Sequence, residues 1–361
     1  MRRAKNRLQL WQILGGFLLG SLLAGCGRNS DAPKGNSPGA GTKGNSSPVK
    51  QEEIKVAFVS NNPAEFWTIC EAGARKAEEE TGVHLIFKRP QDSAPGTQQQ
   101  IIQDLLTQGI KAVSISVISP DNQTPFLDEI AARIPVLAVD NDAPKSKRKC
   151  YLGTANLQAG RAVGELVKEI MPQGGKVAIF VGQLDPINAR ERRQGVLDVL
   201  EGLKESKELR DSPDGKKYGI YEVIGTYTDN VDTAKAKDNA VDVLAKNQYV
   251  ENLCMVGLWA YNPPAILTAV KDAKRVGKVK IVGFDEQDLT LDGIKAGEIH
   301  GTVVQQPYEF GYQSVKMMAE LVRNPGNVKI PANGLIDVPH KVIKKDNVEA
   351  FHSNLKKLLS K

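Results

Sequence analysis

The stretch IKVAFVSNNPAEFW, residues 54–67, decides how the rest of the chain is read. Ile54 to Val59 is an apolar run broken only by Lys55, the pattern of a strand buried on both faces of a parallel sheet. Two amides, a proline and two adjacent aromatics then stand where the strand hands over to a helix, FWTICEAGARKAEEETG, with Gly82 placed as its C-cap. In such a sheet, ligands bind beyond the carboxyl ends of the strands. Phe66 and Trp67 therefore sit at a binding edge, beside Asn61 and Asn62.

The same unit recurs along the chain. Further strands are expected at 83–88, 112–118, 135–140, 150–153, 176–182, 219–228, 253–259, 279–285 and 300–305. Most are continuous β-branched runs, and amphipathic stretches such as TQQQIIQDLLTQG and ARERRQGVLDVLEGL lie between them. Strict alternation of this kind predicts an α/β fold of doubly wound parallel sheets, with about 310 residues available for two medium domains. No internal repeat is visible.

The N-terminus is of another kind. MRRAKNR carries four cations and no acid, an apolar run follows, and the segment ends in Leu23-Ala24-Gly25-Cys26. Residues 1–26 are read as a lipoprotein signal peptide with Cys26 as the lipidation site, because that ending resembles the bacterial lipobox. Residues 27–52, rich in Gly, Ser, Asn and Pro, are read as a flexible tether. The expected location is the periplasm or cell envelope, with the lipid as the sole membrane contact. The chain's net charge of +6 includes the four leader cations, so the remainder carries about +2 and gives no reason to invoke nucleic acid. Cys70, Cys150 and Cys254 form neither a disulfide framework nor a metal spacing.

The residues after successive strands share a chemistry. Asn61, Asn62, Phe66 and Trp67 follow the first, Asp140-Asn141-Asp142 the fourth, and Asn188-Ala189-Arg190 lies beyond 176–182. Asn230 closes the long strand, while Trp259, Asp285 and Gln305 end the last three. Carboxylates accept from vicinal hydroxyls, an arginine donates a planar fork, and aromatic faces cover the C–H faces of a sugar ring. Each position alone is ordinary, since Asp or Asn after a strand is most often a turn or helix-capping residue. Their coincidence at seven strand ends points to a hydroxylated small molecule.

VSNNPAEFW, VDNDAP, NARERRQG, IVGFDEQD and TVVQQP, in this order, resemble the ribose-type, cluster B, type I periplasmic sugar-binding proteins of ABC transporters. The resemblance covers nearly all of residues 53–345 and implies two similar lobes joined by a three-crossing hinge. On that pattern 53–155 and 306–334 make the N-terminal lobe, and 156–305 and 335–361 the C-terminal lobe. It implies that Asn62 or Asn61 bonds a sugar hydroxyl, that Phe66 and Trp67 stack on the ring, and that both aromatics are exposed until the lobes close. It further implies that Asp140 takes a hydroxyl pair, that Arg190 is the donor, and that Asp285 and Gln305 complete the set. Three features depart from the family pattern. Asp140-Asn141-Asp142 replaces an Asp-Arg pair, Trp259 stands where a ribose receptor has Asn, and two residues are inserted before Phe66. The class "sugar" is carried over, and "ribose" is not.

The implied function is a monomeric receptor that captures a monosaccharide or similar polyhydroxylated ligand by lobe closure and delivers it to an ABC permease. The alternative is a sensory receptor subunit for a sugar or for another small polar ligand such as a quorum signal. No enzyme, cofactor or metal is expected. There is no G-x-S-x-G, no P-loop and no clustering of the four histidines. Asp140 and Asp285 as a glycosidase pair are the catalytic rival. A repressor of the lactose type needs a helix-turn-helix where this chain has its leader and tether.

Overall fold

The computed structural model describes residues 53–204, 206, 208–210 and 214–359. The expectations placed on residues 1–52, including Cys26, lie outside them. Ten helices and thirteen strands alternate along the described residues. In chain order the first half runs β1 (Lys55–Val59), α1 (Phe66–Thr81), β2 (His84–Lys88), α2 (Pro95–Thr107), β3 (Ala112–Ile115), α3 (Pro120–Ala131), β4 (Val136–Val139) and β5 (Cys150–Gly153). The second half runs α4 (Asn156–Ile170), β6 (Gly175–Val181), α5 (Ile187–Glu201), β7 (Lys216–Tyr218), β8 (Tyr221–Thr228), α6 (Thr233–Lys246), β9 (Leu253–Gly257), α7 (Asn262–Asp272), β10 (Val279–Phe284), α8 (Asp288–Ala296) and β11 (Gly301–Val304). The chain then crosses back for α9 (Pro307–Arg323) and β12 (Leu335–Asp337), and crosses again for β13 (Lys341–Ile343) and α10 (Val348–Leu359).

The strands form two sheets, β12-β5-β4-β3-β1-β2 and β13-β11-β10-β9-β6-β8-β7. The first is parallel throughout, whereas β7 and β13 pair antiparallel at the edges of the second. All ten strands read from the sequence are present. Their unbroken apolar character has a direct cause, shown by β1. Val56 and Phe58 pack into one hydrophobic cluster, Ala57 and Val59 into another on the opposite face. In β6, Val177, Ile179 and Val181 face one cluster while Ala178 and Phe180 face the other. A strand covered by helices on both sides has no face left for polar residues. Gly82 ends α1 at φ 65°, donating its N–H to Glu78, as its position suggested. Cys70 is fully buried on that helix.

Three chain crossings join the sheets: β5 to α4, β11 to α9, and β12 to β13. The last differs from the expected boundary. β12 pairs with β5 in register Leu335 to Tyr151, so the chain leaves the first sheet after Asp337, not after residue 334. Residues 335–337 belong with the first sheet because their backbone completes its edge. The crossings are bonded to one another. Thr154 Oγ1 donates to Val338 O (3.2 Å), Ala155 N to Asp337 Oδ1 (3.0 Å), and Gln306 Nε2 to Pro339 O (2.7 Å).

Candidate functional site

A cavity of about 40 Å³ lies between the carboxyl ends of the two sheets. The first sheet supplies Asn61, Asn62, Ala64, Phe66, Trp67 and Asp140; the second supplies Asn188, Arg192, Trp259, Ala260, Tyr261, Asp285 and Gln305. Eight of the twelve ligand-binding positions expected from the sequence meet here.

Asp140 and Asp285 occupy corresponding places, each directly after a central strand and each at left-handed φ (61° and 66°). That conformation is costly for a non-glycine residue and is held only where the surroundings over-determine it. Here the surroundings are hydrogen bonds. Asp140 Oδ2 accepts from Ser116 Oγ at 2.8 Å, and Asp285 Oδ1 accepts from Gln305 Nε2 at 2.8 Å. Burial pushes both carboxyls up, Asp285 to about 6, against the opposing pull of Arg192.

Arg192 links the sheets. Its guanidinium donates through Nε to Asn156 Oδ1 (2.9 Å), through Nη1 to Leu258 O (3.1 Å) and through Nη2 to Gln305 Oε1 (2.7 Å). The same Nη2 lies 3.9 Å from Asp140 Oδ1, and the group covers the Phe284 ring at 4.1 Å. Asp140, Arg192, Gln305 and Asp285 thus form a continuous polar chain across the cleft.

The expected donor was Arg190, and the structure places it elsewhere. It is half-buried outside the cavity wall, with Nη2 reaching Asp185 O at 3.4 Å. The cause is helical register. Asn188 and Arg192 are four apart and share a face of α5, whereas Arg190 points to the far side. Helix α5 is fixed in this rotation by α4. A Cβ at Gly160 would lie 2.1 Å from Arg192 O, and one at Gly195 would lie 2.2 Å from Leu157 O. Asn188 and Arg192 were legible in NARERRQG once a helix starting at Ile187 was phased; the motif match alone selected the wrong arginine.

Three other expected residues also stay out of the cavity. Asn141 is fully buried, donating to Val117 O while its Oδ1 accepts from Asn188 N at 3.2 Å, so it ties the sheets together. Asp142 is engaged by Arg148 through Nε and Nη2. Asn230 is an exposed turn residue at φ 56°. Its neighbour Asp229 is fully buried and accepts from Tyr261 Oη (2.6 Å) and Asn262 Nδ2 (3.0 Å), which fixes Tyr261 at the cavity wall.

The aromatics divide into two kinds. Trp67 is 1% exposed, its ring 5.9 Å from Phe58 and 5.0 Å from Phe66, and its indole Nε1 donates to Asn61 Oδ1 (3.1 Å) and Asn62 Oδ1 (3.2 Å). It touches the cavity but belongs to the core of the first sheet, as does Phe66. The expected exposure of both rings concerns the parted lobes; in this arrangement both are packed into that core. Trp259 is different. Its ring lies on Gly182, where a Cβ would come within 2.2 Å of Cζ3, and its Nε1 is buried without a partner. Asn188 Oδ1 is likewise buried and unpartnered. One orphan donor and one orphan acceptor therefore line one cavity, and a buried polar group left unbonded is costly.

Two doubly wound sheets joined by three crossings, with a polar and aromatic cavity between their carboxyl ends, define a two-lobed small-molecule-binding protein. The periplasmic binding protein domain model matches residues 56–326, and the chain belongs to that family. Among curated relatives, the ribose import binding protein of Haemophilus influenzae is 25% identical over 295 residues, 80% of this chain and 92% of that one. The D-allose-binding periplasmic protein of Escherichia coli is 24% identical over 301 residues, 79% and 90% of the two chains. A solute-binding protein of an ABC transporter from Burkholderia graminis, solved with D-arabinose, aligns with TM-score 0.73 and 28% identity over 83% of this chain and 98% of its own. GanP, a glucose-galactose binding protein from Geobacillus stearothermophilus, aligns with TM-score 0.72 and 26% identity over 82% and 99%.

Proposed function

We propose that this chain is an extracytoplasmic receptor that captures a monosaccharide between its two sheets and delivers it to an ABC permease. The observation that carries the reading is the polar chain from Asp140 through Arg192 and Gln305 to Asp285, flanked by the orphan Asn188 Oδ1 and Trp259 Nε1. A hydroxyl donates and accepts at once, so a polyol can answer both orphans and share the carboxylates. The relatives named for ribose and allose, and the neighbour solved with arabinose, support the same class of ligand.

Of the residues first read as contacts, Asn61, Asn62, Phe66, Trp67, Asp140, Trp259, Asp285 and Gln305 remain in the proposed site, joined by Asn188, Arg192 and Tyr261. A cavity of about 40 Å³ has room for only a few waters, so a sugar ring enters by parting the sheets about the three crossings. Ligand contacts from both sheets then favour the closed arrangement, and ligand shifts the population toward it. No turnover is proposed, because both carboxyls are held by protein donors in a ground-state network. Lipidation at Cys26 and the tether over 27–52 complete the reading as a membrane-anchored, monomeric protein.

A thermal-shift screen of pentoses, hexoses and polyols tests it. A bound sugar at 100 times its dissociation constant adds about 2.7 kcal/mol to stability and raises Tm. Small-angle scattering of the hit should show compaction. No stabilisation by any sugar or polyol overturns the receptor reading.

A further inference from the structure

A second pocket of about 250 Å³ adjoins the first and shares Phe66, Ala260 and Asp285 with it as a common wall. Its inner walls are Ile69 from α1 and Leu355 from α10, with Leu359 and Thr68 further out, and the polar side chains of Glu65, Gln287, Asp288 and Lys356 stand at its solvent-facing rim. Cavities of roughly 150 Å³ with such linings hold a benzene ring, so this one has space for a ring and a short substituent.

Asp285 of the shared wall aside, one of the polar residues lining this pocket is buried. Glu286 is 4% exposed, directly follows the cleft residue Asp285, lines this pocket, and has its Oε2 buried without a partner. A buried carboxyl oxygen without a donor costs stability, and leucine in its place would not. Resting on the receptor reading above, we propose that the ligand is a glycoside rather than a free sugar. Its sugar ring occupies the cavity between the sheets, and an apolar aglycone bearing one hydroxyl occupies the second pocket, donating that hydroxyl to Glu286.

The two pockets' common wall makes the arrangement possible. Because Phe66, Ala260 and Asp285 border both spaces, a substituent leaving the ring beside Asp285 is the one positioned to reach the second. Inside the polar rim, Glu286 stands as an unpartnered buried acceptor beside Ile69 and Leu355, which selects an aglycone that is apolar where it enters and carries one donor there.

The test is calorimetry on the full chain with D-glucose, D-galactose, D-xylose, D-ribose, D-allose, D-arabinose and any further sugar found by the thermal-shift screen, each as free sugar and as methyl, phenyl and 4-hydroxyphenyl β-glycoside. For the sugar that binds, the phenyl glycoside should bind at least tenfold tighter than the methyl glycoside, and the 4-hydroxyphenyl glycoside tighter still. Leu359→Trp, which fills the pocket from the exposed end of α10, should abolish the gain while leaving free-sugar affinity unchanged. Glu286→Leu should remove only the increment due to the hydroxyl, and should raise thermal stability. If free sugars bind but phenyl glycosides are no tighter than methyl ones, the inference is overturned and the receptor stands. An aryl gain that survives Leu359→Trp overturns it too. If no sugar binds in any form, the receptor reading fails first and this one with it.

Discussion

Replacing Arg192 by methionine removes the cation that joins the sheets while keeping an apolar stem over Phe284. Three hydrogen bonds are lost, at 2.9, 3.1 and 2.7 Å, all from a fully buried guanidinium. Bonds to charged groups contribute about 1.5–3 kcal/mol each, but part of that is offset because a buried guanidinium is itself costly to desolvate. Breaking a buried network by removing one partner leaves a net loss of about 3–5 kcal/mol. The loss has a pH signature. Without Arg192 the Asp140 and Asp285 carboxyls are pushed up further, so below the folded pKa they are neutral and no longer need the cation. The destabilisation should therefore be smaller at pH 5 than at pH 7.5. Urea unfolding of wild type, Arg192→Met and Arg190→Met at both pH values reads this directly. Arg190, whose Nε is buried without a partner and whose one hydrogen bond is long, should cost under about 1 kcal/mol. A stable Arg192→Met, or an Arg190→Met that costs as much, would refute the assignment of the cleft cation.

The remaining predictions use the same geometry. Asp285 is pushed to about 6 from a reference value of 3.8, so the folded state holds its proton more tightly than the unfolded chain. Its contribution to stability is full below about pH 4 and lost as pH rises through about 6. Asp285→Asn should flatten Tm against pH across that window, and an unchanged profile would count against the burial argument. Trp67→Ala should cost about 3–5 kcal/mol of folding stability by chemical denaturation, since the ring is core as well as cavity wall; a loss under about 1 kcal/mol would return it to the surface. Gly182→Ala places a Cβ 2.2 Å from Trp259 Cζ3 and should drive the indole into the cavity. The same Cβ lies 2.6 Å from Tyr261 Oη, so Tm should fall as well, while sugar affinity drops at least tenfold; unchanged affinity would remove Trp259 from the site.

The sequence alone determined whatever depends on local pattern. Continuous apolar strands, Gly82 at a helix end and the recurring polar strand ends were all legible, because burial on both faces and left-handed caps leave their mark within a few residues. That sufficed for the parallel strands covered on both faces and for eight of the expected cavity residues, while the division into two lobes came from the family resemblance. What only the tertiary structure decided concerns direction and partnership. The rotation of α5 chooses Arg192 over Arg190, and it is set by close contact with α4 rather than by the motif. Asp142 is claimed by Arg148, Asn141 by Val117 and Asn188, and Asn230 by a turn, though all three look like ligand contacts in the string. The three-residue strands β7, β12 and β13 carry too few side chains to show a period, and exist only because a neighbouring edge offers its backbone. A residue's chemistry is written in its letter. Whether that chemistry faces a ligand or is already satisfied by the protein depends on neighbours far along the chain.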